Sequence, residues 1–350
     1  MNMTLLAFAV GLVSSMGLTI PVRQLALRVG MVDRPGPRKV HLQPIPLLGG
    51  LAIYCGALIA LLVALRGPAL VEVLGIYAGA TLVALVGILD DRGLLHHQIK
   101  LFGAMPAAAI ILLLTGVRAQ VFSLSWPGIS GNIADIALTI IWVVGITASF
   151  SILDHMDGLC AGIAAIASLF FAIFALGSGQ LLVSTMAAAV MGAAAGFLRW
   201  NFKPAKIFMG DGGAMFLGFL MATLALKLRP VMAGGEKSAW LVPVLILGAT
   251  IFDTTLITIS RSRRGFLPFT TPGKDHTAHR LSNIFNNQRT AVLTMYLLGT
   301  IFGLLALGIS HLSSAGAYIS AGLAVSAVLV AVALLELAPY ERQSKQKKAA

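Results

Sequence analysis

Asp154 and Asp157 stand three residues apart in Asp154-His155-Met156-Asp157-Gly158-Leu159. On helical backbone that spacing turns both carboxylates to one face, where they can address one ligand or one metal. Asp90 and Asp91 are adjacent, diverge by about 100° on a helix, and so should not do the same job. Asp211 lies within Met209-Gly210-Asp211-Gly212-Gly213, ahead of an apolar run. The glycines permit close backbone approach, and the amides that open the next helix suit a phosphate. One acidic side chain among phosphate-binding amides suggests a bridging Mg²⁺, a hard cation that takes carboxylate and phosphate oxygens, with Mn²⁺ as the alternative.

His276 and His279 form a second cluster, within Gly273-Lys274-Asp275-His276-Thr277-Ala278-His279-Arg280-Leu281. With Lys274 and Arg280 alongside, anion binding is the better reading. Zinc is disfavoured, since neither Cys55 nor Cys160 is near in sequence. A third basic segment runs Asp33-Arg34-Pro35-Gly36-Pro37-Arg38-Lys39-Val40-His41, then Pro44-Ile45-Pro46 and Gly49-Gly50. A stop signal with a rigid turn explains its charges but not its prolines and histidine, so Lys39 and His41 join the candidate substrate-binding residues.

The elements that must position these groups are membrane helices. Of 350 residues 58% are apolar, against 25 basic and 13 acidic, far below the charged quarter of a soluble domain. Apolar runs mark helices near 4–27, 47–65, 69–89, 101–117, 133–153, 158–176, 180–199, 212–227, 238–259, 290–310 and 316–338. The fold class expected is an all-α polytopic membrane protein of about eleven transmembrane helices, a single domain over 1–338 with a basic cytoplasmic tail at 339–350. A small hairpin is expected in 118–132, where Val121 to Trp126 precede Pro127-Gly128. Disorder, coiled coil and a disulfide scaffold are excluded.

Alternate loops divide the basic residues unequally. Twenty of them fall on one side, and only Arg66, Arg118, Lys227, Arg229 and Lys237 on the other. Basic short loops stay cytoplasmic, so the C-terminus and the loop 260–289 are expected inside and the N-terminus outside. The net charge of +12 thus follows topology, and nucleic acid is not an expected partner. Asp33, Asp90, Asp91, Asp154, Asp157, Asp211 and Asp275 all fall on the basic side, and carboxylates at the membrane are by default functional.

The order of these motifs resembles that of the polyprenyl-phosphate N-acetylhexosamine-1-phosphate transferases. The resemblance spans 30 to 285 and rests on Asp33 to Gly50, Asp90-Asp91, Asp154 to Gly162, Asn201 to Asp211, Asp253, and Pro268 to Leu281. It implies an enzyme of the bacterial inner membrane with its site on the cytoplasmic face. There a lipid phosphate such as undecaprenyl phosphate would attack the β-phosphorus of a UDP-sugar and release UMP. By motif position the resemblance implies that Asp211 binds Mg²⁺, Asn201 lines the same site, and Asp90 orients or deprotonates the lipid phosphate. Asp91 would assist at the metal, Asp154 and Asp157 would serve nucleotide and metal, and His276 and His279 would lie near the diphosphate. A homodimer is compatible with the resemblance. Four positions depart from the family pattern: Ser151 stands for an Asn, His155 for a Gly or Asn, Ala214 for a Ser, and Ala278 for the middle His of a His-X-His-His run.

The rival class is a transporter of an anionic lipid or nucleotide-sugar. A carrier needs polar groups near the bilayer midplane on broken helices, whereas these spans are apolar in their middles. The basic loop 260–289 carries charge for a diphosphate but no acidic or large apolar cluster for a peptide-bearing sugar. A small sugar is therefore expected, and the resemblance implies a UDP-N-acetylhexosamine such as UDP-GlcNAc as the donor.

Overall fold

The computed structural model describes residues 2–34, 44–95, 97–267, 273–338 and 340. Lys39 and His41 lie outside the described residues. Among the described residues the chain is all-α apart from one two-stranded antiparallel ribbon, β1 (Val32–Asp33) with β2 (Ile45–Pro46). Helices dominate because lipid supplies no hydrogen-bond partner, so each apolar segment must satisfy its own backbone.

Among the described residues, seven helices are long and apolar enough to cross a membrane. They are α1 (Asn2–Arg28), α3 (Pro68–Asp91), α7 (Ile129–Leu153), α8 (Leu159–Gly177), α9 (Leu181–Asn201), α14 (Gln288–Ser310) and α15 (Ser314–Leu337). An eighth candidate is a bent pair in which the segment Glu236–Ile246, containing α11 (Leu241–Ile246), meets α12 (Gly248–Arg263) at 70°, the geometry of a broken span or a re-entrant loop. The break follows Pro243, and Gly248 lies where a Cβ would meet the Phe302 ring at 2.6 Å, so ring packing holds the bend. The other three of the eleven expected spans are α2 (Gly49–Ala64), the segment Lys100–Leu114 and α10 (Gly210–Lys227). At 1.5 Å per residue the 16 residues of α2 reach about 24 Å, short of the roughly 30 Å of a hydrocarbon core.

Helix α10 is the centre of the bundle. Every residue from Gly212 to Leu226 is buried, and the helix packs against α2, α3, α7, α8 and α9. Its first turn is clamped by glycine contacts: a Cβ on Gly87 would lie 2.5 Å from the Gly212 nitrogen, and one on Gly50 would collide with Gly213. At the other extreme, only 6% of the apolar window of α15 is buried, as suits a helix facing lipid.

The hairpin expected in 118–132 is not formed. The Asp135 carboxylate, on α7, accepts the backbone N–H groups of Val121, Phe122 and Ser123 at 2.9–3.0 Å. Those donors, which a strand would need, open the one-turn helix α6 (Phe122–Ser125) instead. Between α3 and α7 the chain runs through α4 (His97–Ile99), a π-helical turn at Lys100–Ala104 and α5 (Met105–Leu114). Pro106 lacks the N–H that a regular α-helical turn would use, and a widened turn accommodates the loss.

Candidate active site

The C-terminal ends of α3, α7 and α9 meet the N-terminal end of α10, and the acidic residues gather there. Asp91, the last residue of α3, accepts the N–H of Asp211 at 3.0 Å and of Gly212 at 3.4 Å. The positive N-terminus of α10 is thus capped by a carboxylate of the chain itself. The sequence reading left those amides for a phosphate; in the structure Asp91 takes them. Gly210, at φ +73°, has no room for a side chain, since a Cβ there would strike the Asp91 carboxylate.

Lys100 joins the other two acids. Its Nζ donates to Asp90 Oδ2 at 2.7 Å and to Asp211 Oδ2 at 2.6 Å, while Ser151 Oγ donates to Asp211 Oδ1 at 2.9 Å. The π-helical turn swings Lys100 inward, where it is buried. The sequence reading counted Lys100 only as a topological charge, and its one available signal was a basic residue at the mouth of an apolar run that also holds a proline. Ser151, a departure from the family pattern, still supplies a donor to Asp211. Asp90 and Asp91 divide their work, as their adjacency demands.

Asp154 and Asp157 do not share a helix face. Leu153 ends α7, and the chain then turns through 154–158 before α8 begins. Asp154 faces the acidic group. Burial first, and then the charges of Asp211, Asp91 and Asp157, push its carboxyl well above the usual range. Asp157 instead accepts the Ala205 N–H at 3.1 Å. Asn201 accepts the Gly158 N–H at 3.0 Å and donates to the Ile207 carbonyl at 2.9 Å. Both ends of its amide bind backbone, so it fixes the turn rather than presenting itself to a ligand. Tyr296, from α14, donates to the Gly158 carbonyl at 2.6 Å and completes the clamp; nothing in its sequence neighbourhood marked it.

The histidines form an adjoining group. His276 Nδ1 pairs with Asp253 Oδ2 at 3.0 Å, and its Nε2 lies 3.2 Å from Arg261 Nη2. Arginine can only donate, so Nε2 accepts and Nδ1–H donates to Asp253. Arg261 grips Asp275 with two nitrogens, at 3.0 and 2.7 Å, and Arg264 also binds it. Burial alone would raise the Asp275 carboxyl, but hydrogen bonding and charge from Arg261 and Arg264 bring it down to about 2. His279, on α13 (Thr277–Phe285), is lowered to about 4 by burial and then by the charges of His276 and Lys274.

Arg280 is not brought to this site. It is 0% exposed, donates to the Asp275 and Leu335 carbonyls and to Ser260 Oγ, and forms an ion pair with Glu336. Tyr340 covers it, with the ring centre 3.9 Å from the guanidinium carbon. These contacts fasten α13 to α12 through Ser260 and to the end of α15 through Leu335 and Glu336, a structural role in place of the anticipated substrate contact.

His155 links the two groups. Its ring lies 4.0 Å from that of His276 and 4.6 Å from that of His279, centre to centre. Burial and then the neighbouring histidines hold its pKa well below normal, so the ring is neutral at pH 7. Both its nitrogens are buried with no hydrogen-bond partner among the described residues, a situation that costs about 1–3 kcal/mol. Adjacent residues of one turn therefore point into different clusters, Asp154 among carboxylates and His155 among imidazoles.

Comparison with known proteins identifies the family. The family model for glycosyl transferase family 4 matches residues 73–229. A Bacillus subtilis protein named as a probable undecaprenyl-phosphate N-acetylglucosaminyl 1-phosphate transferase is 36% identical, over 86% of this chain and 83% of its own. The decaprenyl-phosphate N-acetylglucosaminephosphotransferase of Mycolicibacterium smegmatis is 34% identical over 79% of this chain and 74% of its own. The undecaprenyl-phosphate alpha-N-acetylglucosaminyl 1-phosphate transferase of Yersinia pestis is 24% identical over 83% and 80%. With the matched segment holding every carboxylate of the acidic group, the chain belongs to glycosyl transferase family 4, among the polyprenyl-phosphate N-acetylhexosamine-1-phosphate transferases.

Proposed function

We propose that the protein transfers N-acetylglucosamine 1-phosphate, or a closely related N-acetylhexosamine 1-phosphate, from a UDP-sugar to undecaprenyl phosphate. The products are the polyprenyl-diphosphate sugar and UMP, and the reaction initiates a cell-surface glycan at the cytoplasmic face of a bacterial plasma membrane. The observation that carries the reading is the gathering of four carboxylates at one end of the helical bundle: Asp90 and Asp211 share the Lys100 ammonium, Asp91 holds the Asp211 amide, and Asp154 lies within reach of the charges of Asp211 and Asp91. The names of the relatives support a polyprenyl-phosphate acceptor and a GlcNAc 1-phosphate cargo. The excess of basic residues in the loops at that end supports the cytoplasmic assignment.

In this reading an oxygen of the lipid phosphate attacks the donor's β-phosphorus. The new O–P bond forms as the bond from that phosphorus to the α-phosphate oxygen breaks, and the electron pair leaves on UMP. Lys100 draws anionic phosphate groups toward Asp90 and Asp211. Asp90 orients the lipid phosphate and receives its second proton, whose pKa is near 6. Asp91 keeps the first turn of α10, and with it Asp211, in register.

Four carboxylates against one ammonium leave an excess of negative charge, and their donor atoms are all hard oxygens, a set that fits Mg²⁺. Asp211 and Asp154 would hold it, with Asp91 assisting. Bound there, the cation would offset the repulsion between two anionic reactants. The test is release of UMP from UDP-GlcNAc by purified protein given undecaprenyl phosphate and Mg²⁺. Turnover that requires both substrates is expected, and absence of UMP with every UDP-N-acetylhexosamine tried would refute the reading.

A further inference from the structure

His155 is the imidazole of the cluster whose two nitrogens are both buried and, among the described residues, without a hydrogen-bond partner. His276 by contrast spends both of its own on Asp253 and Arg261. Its ring lies beside those of His276 and His279, which flank Thr277 and Ala278 in the chain. Ala278 is 0% exposed and offers only a methyl group. The histidine loop therefore holds two imidazoles, and a third reaches the same place from the turn after α7.

A transition metal is the obvious candidate for those unused nitrogens, because donor atoms of His155, Asp253 and His276 lie within 4.8 Å of one another. The arrangement argues against it. A metal on His276 would have to displace either Asp253 from Nδ1 or the arginine donor from Nε2. The Arg261 guanidinium would also stand beside the cation. A neutral imidazole that neither accepts nor donates within the protein is suited to a polar ligand carrying both acceptors and donors, such as a sugar diphosphate with its hydroxyl and acetamido groups.

We propose that His155 is a donor-binding residue, which supplies the sugar-diphosphate end of the nucleotide-sugar with an imidazole that the loop itself lacks at Ala278. This rests on the UDP-sugar reading above. The donor enters between the turn 154–157 and the N-terminus of α13, separating the stacked rings, and His155 then meets it with the edge now covered. Asp154, next in the chain, faces the acidic group, so one turn of backbone holds both the carboxylate near the reacting phosphates and the ring that grips the donor.

The experiment is a swap of the ring between the two segments, read by calorimetric binding of UDP-GlcNAc to purified protein. His155→Gly should weaken binding at least tenfold and leave the KM for undecaprenyl phosphate within about twofold. Ala278→His alone adds a ring where no surface is free, and should not tighten binding. The double variant His155→Gly/Ala278→His should recover binding to within about threefold of the parent, a coupling that a purely structural role for the 155 ring would not give. Parent-like affinity in His155→Gly, or loss that the second substitution fails to recover, overturns the proposal. A parent protein that binds no UDP-sugar overturns the functional reading instead, so the two failures are distinct.

Discussion

The Asp91 carboxylate accepts the backbone N–H of Asp211 at 3.0 Å, across 120 residues of sequence. The last residue of α3 is thus the cap of the central helix, and cap and charge can be separated by substitution. Asn caps about as well as Asp, so Asp91→Asn should keep the fold and lose activity through its missing charge. Asp91→Ala should in addition lose about 0.5–2 kcal/mol of stability. Thermal unfolding in detergent beside turnover checks this, and equal melting of the two variants would remove the capping role.

Lys100 is the ammonium shared by Asp90 and Asp211. Lys100→Gln keeps a donor but leaves two carboxylates without a counter-charge. Its kcat should fall at least 100-fold, equivalent to about 2.7 kcal/mol of transition-state stabilisation. Steady-state kinetics of UMP release decide the point, and a variant with near-parent kcat would take Lys100 out of the reaction.

Asp211→Asn should abolish turnover while the protein remains folded, because the hard-oxygen set loses its central member. Chelation of divalent cations by EDTA should abolish activity in the parent, with restoration by Mg²⁺. Undiminished turnover in EDTA would exclude the metal requirement.

Arg280→Ala should act on stability. The guanidinium is fully buried among Ser260, Glu336 and two carbonyls, and removing one partner of a buried charge pair costs about 3–5 kcal/mol. The expected outcome is a large drop in melting temperature with an unchanged KM for UDP-sugar in the folded fraction. A selective rise in that KM would restore Arg280 to the substrate-binding set.

His279 sets a pH dependence of stability. Its folded pKa is about 4, below the roughly 6.5 of an unfolded histidine. Between those values the unfolded chain binds the extra proton, so stability rises with pH across the window and is lost as pH falls from 6.5 toward 4. His279→Gln should make melting temperature depend less steeply on pH over that interval, the remaining slope belonging to the buried His155, whose pKa is also lowered. A slope identical to the parent's would assign the acid sensitivity elsewhere.

Much of the molecule was legible in the chain. Apolar runs specify helices because lipid leaves the backbone no other way to satisfy itself, and each expected segment coincides with an apolar helix. The helix count differs in kind: α2 and Lys100–Leu114 are short, and the segment near 238–259 is bent. Hydropathy registers composition, whereas length against the bilayer and a ring packed on Gly248 register shape. Adjacent Asp90 and Asp91 also diverge as local geometry requires.

What tertiary structure decided is where side chains far apart in sequence meet. Lys100 reaches Asp211 across 111 residues, and His155 meets His276 and His279 from another segment. Arg280 looked like an anion ligand because its neighbours in sequence are basic, but Ser260 of α12, Leu335 and Glu336 of α15 and the Tyr340 ring enclose it. The spacing of Asp154 and Asp157 implied one face only if the helix continued, and α7 ends at Leu153. Sequence periodicity constrains neighbours within a few turns of one helix; which helices touch, and which polar groups are buried between them, is settled only when the whole bundle closes its packing and satisfies its buried donors.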